Sequence, residues 1–351
     1  MQLEKNKTYC NDALIGIKKL DKESIDCVVT SPPYWGLRDY GVKGQIGLEK
    51  NFNDYIKKLL DNFDEIYRVL KKQGTIWVNL SDTYWGSLQG YGAKKTSETG
   101  IQKAPVEAGY YASSSNKPPQ AQKHKYLQSK SMVMIPERFA LGMVERGWIL
   151  RNVIIWKKPN TTPESVKDRF TNDFEYLFFF TKSKQYYFEQ QYEDFKSNDY
   201  DIQRMKDGRK EYEGKYKNAS IKKQLKINTQ THSFVAGNTA GRNKRTVWEI
   251  NTKPFKEAHF AVFPEALIET PIKAGCPKNG IIMDPFMGSG TTGVVAKRTG
   301  RNFIGFDLNP EYVKMANERI SHSEKLNGIT KISQKDLSLL ALKVEKELFK
   351  I

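Results

Sequence analysis

One stretch near the C-terminal end constrains the fold more than any other. Residues 280–284, Gly-Ile-Ile-Met-Asp, read as a buried strand that ends on a carboxylate. A glycine-rich turn follows, Gly288-Ser289-Gly290-Thr291-Thr292-Gly293. Thr291 to Arg298 then opens a helix, and Asn302 to Asp307 is a second apolar strand. Strand, turn, helix, strand is a complete β-α-β unit, the building block of a parallel α/β sheet. Pro310 to Ile320 reads as a further helix.

The turn matches GxGxxG, a pattern that gains meaning only when it follows a strand and opens a helix, as it does here. Glycines let the backbone approach a ligand where a Cβ would clash. Asp307 ends the next strand, and an acidic residue about 20 positions on is placed to bind ribose hydroxyls. An adenosine-containing cofactor is therefore expected. In Asp284-Pro285-Phe286-Met287-Gly288 a carboxylate precedes the turn. It suits the ammonium and sulfonium of S-adenosylmethionine and would repel the pyrophosphate of a dinucleotide.

A second patterned block runs from Tyr9 to about Asp82. Ile25 to Thr30 reads as a buried strand. Asn53 or Asp54 is placed to cap a helix that carries Ile56, Leu59, Leu60, Phe63, Ile66 and Leu70 on one face. Gly74 follows, and Thr75 to Leu80 reads as another strand. Beyond it, Pro136 marks a helix start and Gly147 a stop. Trp148–Trp156 and Phe174–Thr181 are strands close enough in sequence to form an antiparallel edge to the sheet.

Between these blocks the chain is polar. Residues 87–131 carry seven Lys against two Glu and read as a long basic loop. Residues 189–245 carry thirteen Lys and Arg against eight Asp and Glu, interleaved with Tyr192, Tyr200, Tyr212 and Tyr216, and read as an inserted module. The tail from Lys331 has the pattern of one amphipathic helix. The whole chain bears +17, a surface that attracts polyanions and gains affinity by releasing phosphate counterions. No apolar run is long enough to span a membrane, and the residues from Met1 to Asn6 form no apolar signal segment. Cys10, Cys27 and Cys276 form no CxxC pair or metal spacing and fit a reducing cytoplasm, the expected location.

The strand at Ile25 runs into Thr30-Ser31-Pro32-Pro33-Tyr34-Trp35. Two prolines stiffen the turn and fix the direction of its carbonyls. For an exocyclic amine to attack a methyl sulfonium, its lone pair must turn out of the ring plane. Two acceptors, one on each N–H, favour that geometry, and Ser31 Oγ with the Pro32 carbonyl can supply them. Tyr34 is placed to stack on an extruded base, since the target atom is out of reach inside a duplex. Trp35 either widens that platform or packs.

Through these residues the chain resembles the amino-directed DNA methyltransferases of the permuted order called the β class. The resemblance covers roughly 9–188 and 247–320. Ser31-Pro32-Pro33-Tyr34 is similar to the catalytic motif. Asp284-Pro285-Phe286 with Gly288, Gly290, Thr291 and Thr292 is similar to the cofactor motif. Phe263-Pro264-Glu265 resembles the helix start that caps the methionine end of S-adenosyl-L-methionine. Asn11-Asp12-Ala13-Leu14 resembles the segment whose aspartate lies near the adenine. The resemblance implies an α/β fold with a doubly wound, mixed, mostly parallel sheet, circularly permuted, with one reversed strand near its end. Residues 1–188 and 246–351 would form the catalytic domain, catalytic half first and cofactor half second, and 189–245 would read the target sequence. The implied chemistry is direct in-line transfer with no covalent intermediate and no metal. Double-stranded DNA is the expected partner, and a cognate restriction endonuclease is a companion that the sequence leaves open. Members with Ser at the first motif position more often methylate cytosine N4, and those with Asp or Asn adenine N6. Ser31 thus favours cytosine N4, with adenine N6 the alternative, by association within the family.

Four rivals fit less of the sequence. A C5-cytosine methyltransferase needs a thiolate nucleophile in a Pro-Cys pair; here the pair is Cys276-Pro277, in the reverse order, and Cys27 lies within a strand. A nicotinamide oxidoreductase leaves Ser31–Tyr34 and the positive charge unexplained. A non-catalytic nucleic-acid-binding protein explains the charge and not two motif blocks. Methylation of RNA or a protein amide keeps the chemistry and changes the substrate.

Overall fold

The computed structural model describes residues 3–37, 39–86, 124–194, 242–252 and 263–323. Most of the basic loop, the centre of the tyrosine-rich segment and the tail helix expected from Lys331 lie outside the described residues. In chain order the elements begin β1 (Lys7–Cys10), α1 (Ala13–Lys18), β2 (Ile25–Thr30), α2 (Phe52–Val69), β3 (Leu70–Leu80), α3 (Ile135–Glu145), β4 (Ile149–Lys157) and β5 (Phe174–Thr181). They continue with β6 (Tyr192–Glu193), β7 (Arg242–Asn243), β8 (Val247–Glu249), α4 (Glu265–Gly275), β9 (Ile281–Asp284), α5 (Thr291–Arg298) and β10 (Asn302–Asp307). A last helix, α6, covers 310–323. The chain divides into two compact units, Met1–Glu189 with Thr246–Ile351, and Gln190–Arg245. In the second, β6 pairs antiparallel with β7, and Glu193 receives both Arg242 and Arg245.

Among the described residues of the first unit, eight strands form one sheet in the order β1-β10-β9-β2-β3-β5-β4-β8. Strands β1, β10, β9, β2 and β3 run parallel. Strand β5 is antiparallel to both β3 and β4, and β8 is parallel to β4. The antiparallel pair expected at the edge therefore lies one strand inward. Val247–Glu249 adds outside it, and the Ile155 N–H donates to the Thr246 carbonyl at 2.8 Å.

Successive side chains of a strand point to opposite faces, and both faces here are apolar. Ile76, Val78, Leu80, Phe178 and Phe180 pack with α1, α2 and α3. Trp77, Leu177 and Phe179 pack on the other face with α4, α5 and the α6 residues Ala316 and Ile320. The Trp77 and Phe179 rings, directly opposite in register, stack with centroids 4.0 Å apart. The sheet is thus doubly wound.

Two local expectations need correction. The cap of α2 is Asn51, whose side chain accepts from the Asn53 N–H, because Asn51 is the residue in extended conformation. Asp54 sits in the first turn, favourably placed against the helix dipole. Leu70 opens β3 instead of closing α2, although its N–H still bonds the Ile66 carbonyl. Helix and strand therefore join with no loop, and Gly74 lies inside β3. A Cβ at Gly74 would meet Leu70 Cγ at 2.6 Å and the Asp26 carbonyl oxygen at 3.0 Å.

Neighbours β2 and β9 send the chain in opposite directions, β2 through α2 to β3 and β9 through α5 to β10. That divergence opens a crevice at the carboxyl ends of the strands, where ligands of such sheets bind.

Candidate active site

A cavity of about 540 Å³ fills this crevice. Its walls take Ser31, Pro32, Pro33 and Tyr34 from the turn after β2, and Phe286, Gly288, Ser289 and Thr291 from the turn after β9. Asp307 at the end of β10, Asp12 before α1 and Phe263 before α4 complete the expected residues found on the wall. The two motif turns, distant in sequence, face one space.

The turn after β2 is held from several sides. The Thr30 hydroxyl donates to Asp284 Oδ1 at 2.7 Å, and the Tyr55 hydroxyl donates to the Pro33 carbonyl at 2.9 Å. Trp35 packs in the core instead of widening a platform: it is 2% exposed, donates to the Glu49 carbonyl and stacks against Trp85. Gly47, at φ 108°, lies so close that a Cβ there would sit 3.0 Å from the Tyr34 carbonyl oxygen. The Tyr34 hydroxyl donates to Glu175 Oε2 at 2.6 Å. Burial first, and then the charge and hydrogen bond of Glu175, hold its pKa well above the ordinary range, so it remains a neutral donor.

The glycines of the second turn divide their work. Gly288, at φ 52°, lines the cavity, and a Cβ there would have only the Phe286 carbonyl oxygen, at 4.0 Å, as a neighbour. The space beside it is left for a ligand. Gly290, at φ 85°, instead faces α6, where a Cβ would meet Ala316 Cα at 2.9 Å. Asp307 Oδ2 accepts from the Gly288 N–H at 2.8 Å and Oδ1 from the Asn309 N–H at 2.9 Å. Burial raises the Asp307 pKa. A half-buried carboxylate on the cavity wall at a strand end has the chemistry to take ribose hydroxyls.

Asp284, Gly290, Thr292 and Glu265 do not reach the wall. Asp284 is 1% exposed, and its oxygens accept from Thr30, from the Thr292 hydroxyl at 2.6 Å and from the Phe286 N–H. Burial lifts its pKa to about 6, against the lowering by those donors. These bonds make Asp284 a buried stitch between β2, β9 and α5. Glu265 accepts from Arg298 and Arg319, and Arg319 in turn donates to Thr291 Oγ1 at 2.8 Å and to Ser289. Arg319 thus clamps the glycine turn from α6.

The cavity also holds a polar cluster with no motif of its own in the sequence. Lys158, just after β4, hydrogen bonds Glu175 Oε1, and Glu175 Oε2 also receives Asn79 Nδ2 at 2.9 Å. Asn79, Trp156, Lys158 and Glu175 all line the wall. The signal available was a polar residue near the end of an otherwise apolar strand, as in Trp-Val-Asn-Leu and Phe-Glu-Tyr-Leu. The free cysteines Cys27 and Cys276 are buried, and desolvation pushes the Cys27 thiol up to about 12. Such a thiol is a poor nucleophile at neutral pH.

A doubly wound sheet with a glycine turn and a Ser-Pro-Pro-Tyr turn on one cavity defines the α/β fold of the S-adenosylmethionine-dependent methyltransferases. Residues 25–318 match the model of the DNA methylase family N6_N4_Mtase, and the chain belongs to that family of amino-directed DNA methyltransferases. It is 40% identical over 322 residues to the type II methyltransferase M.SmaI of Serratia marcescens, covering 91% of this chain and 93% of that one. It is 38% identical to M.Cfr9I of Citrobacter freundii, over 91% and 89% of the two chains. Among solved structures it resembles the cytosine-N4-specific PvuII DNA methyltransferase, with TM-score 0.55, 18% identity and 90% of each chain covered. It also resembles the M1.HpyAVI complex with S-adenosylmethionine, with TM-score 0.50, 18% identity and coverage of 91% and 99%.

Proposed function

We propose that this chain is a site-specific DNA methyltransferase that moves a methyl group from S-adenosyl-L-methionine to the N4 amino group of an extruded cytosine. The observation that carries the reading is the shared cavity, walled by Ser31–Tyr34 on one side and by Phe286, Gly288 and Asp307 on the other. The order of these motifs, catalytic turn first and glycine turn second, is that of the permuted β class. Bound there, S-adenosyl-L-methionine supplies an electrophilic methyl on a sulfonium.

The protein's part is binding and orientation. Asp307 takes the ribose hydroxyls, Gly288 leaves room for the chain beside them, and Asp12 and Phe263 flank the adenine and methionine ends. Ser31 Oγ and the Pro32 carbonyl accept the two N–H bonds of the base and turn its lone pair towards the methyl. Tyr34 stacks on the ring, and its hydroxyl bond to Glu175 fixes the plane of that stack. Holding the reacting atoms in line supplies much of the rate in such a transfer. Glu265 and Asp284 act on the site through Arg319 and Thr30. Residues 189–245 read the target sequence, and a restriction endonuclease of the same specificity is the expected companion.

Ser31 favours cytosine N4 over adenine N6. Sequencing of DNA from expressing cells by a method that separates N4-methylcytosine from N6-methyladenine tests base, atom and site together. N4-methylcytosine at one recurring sequence is the expected outcome, N6-methyladenine would move the reading to the alternative base, and unmodified DNA would overturn it.

A further inference from the structure

We infer that Lys158 is a specificity-determining residue, an ammonium aimed at the N3 and O2 acceptors of the target cytosine; the inference rests on the cytosine-N4 reading of the same cavity. Lys158 and Glu175 form an ion pair with side chains only 19% and 12% exposed, and both face the cavity. A pair so far removed from water loses much of its Coulomb gain to desolvation, so its stability contribution is a weak reason for its presence. Its placement is more informative. Glu175 gives one oxygen to Lys158 and the other to the Tyr34 hydroxyl and Asn79 Nδ2. One carboxylate therefore ties the ammonium to the tyrosine of the catalytic turn. The Trp156 ring, 4.9 Å from Nζ, supports the cation from another side.

An ammonium has three N–H donors and no acceptor, and one donor goes to Glu175. With the amino group held by Ser31 and the Pro32 carbonyl, the next atoms on a cytosine edge are N3 and O2, both acceptors. Adenine offers N1 and then a C–H, which leaves a buried donor unpaired. A site built to hydrogen-bond a polar group discriminates strongly against an analogue that lacks it. Without Lys158 the Glu175 carboxylate would also repel the lone pairs of either base.

The test compares wild type, Lys158→Met and Lys158→Arg. Each is assayed for transfer of labelled methyl to a duplex bearing its target cytosine, and to the same duplex with adenine at that position opposite the unchanged guanine. Affinity for S-adenosyl-L-methionine and thermal unfolding are measured alongside. The Met variant should lose on the order of 10²-fold in kcat/KM on cytosine. Its cytosine-to-adenine preference should fall at least about tenfold, cofactor affinity should stay unchanged, and the Arg variant should recover part of both losses. Equal losses on the two bases, with a lowered unfolding temperature, would make the pair a brace between strand ends and overturn the inference, as would an unchanged preference. A wild type that modifies adenine and spares cytosine would instead sink the underlying reading.

Discussion

Thr30 and Asp284 lie 254 positions apart in the chain, and the Thr30 hydroxyl donates to the Asp284 carboxylate at 2.7 Å in the buried seam between β2 and β9. This bond joins the strand that carries the Ser-Pro-Pro-Tyr turn to the strand that carries the glycine turn. Thr30→Val keeps the shape and removes the donor. A buried carboxylate that loses one partner costs about 1–3 kcal/mol. Chemical denaturation should read that loss, and methyl transfer should fall with it while DNA binding holds.

The same carboxylate sets a pH dependence. Folded Asp284 keeps its proton up to about pH 6, against an ordinary value of 3.8, chiefly because burial disfavours the charge. Between those values the folded state binds more protons than the unfolded chain, so this group's contribution to stability falls as pH rises across the window and is fully lost above about pH 6. Asp284→Asn should flatten that part of the profile. Unfolding free energies of the two proteins at several pH values from 4 to 7 measure the difference, and parallel curves would contradict it.

Ser31→Ala removes one of the two acceptors proposed for the reacting amine. Turnover should drop on the order of 10²-fold, with cofactor affinity intact. Single-turnover rates and calorimetric binding separate the two quantities, and full turnover would take Ser31 out of the mechanism.

Tyr34→Ala removes the proposed stacking surface. Transfer to a paired target should suffer more than transfer to a mismatched one, since extrusion of a mismatched base costs less. Matched kinetics on both duplexes decide the point, and equal losses would count against stacking.

Gly290 and Gly300 are both left-handed, at φ 85° and 74°, but only Gly290 is crowded, against Ala316 of α6. Alanine at Gly300 should cost about 1–2 kcal/mol for the backbone conformation alone. Alanine at Gly290 should cost more and also weaken S-adenosyl-L-methionine binding, because α6 must retreat from the turn. Denaturation and calorimetry on the pair test this.

What could be read along the chain was local. The runs Ile25–Thr30, Phe174–Thr181 and Asn302–Asp307 became strands with those bounds, because short apolar runs bounded by turn residues have few other solutions. Thr291–Arg298 became a helix because the glycine turn ends where its first backbone N–H groups begin. Leu70 is ambiguous in the sequence because it satisfies the helical face of α2 and the strand pattern of β3 alike. The cap of α2 is not legible because Asn51, Asn53 and Asp54 all qualify by type, and only backbone conformation selects Asn51. The Asn79–Glu175–Lys158 cluster depends on the pairing of β3 with β5 and of β5 with β4, a long-range register that no local pattern carries. The burial of Asp284 is equally illegible locally, because its donor Thr30 comes from the far end of the chain.

Strands β2 and β9 are bonded side by side, Cys27 opposite Ile282 and Val28 opposite Met283. Adjacent hydrogen-bonded strands do not swing apart like lobes on a hinge, so the strand ends that carry the Ser-Pro-Pro-Tyr turn and the glycine turn keep their spacing. If the proposed function holds, the travelling component is the nucleotide, which rotates out of its helix to meet a bench already set. On the proposed reading, a duplex that gives up its base readily should be methylated faster than one that holds it.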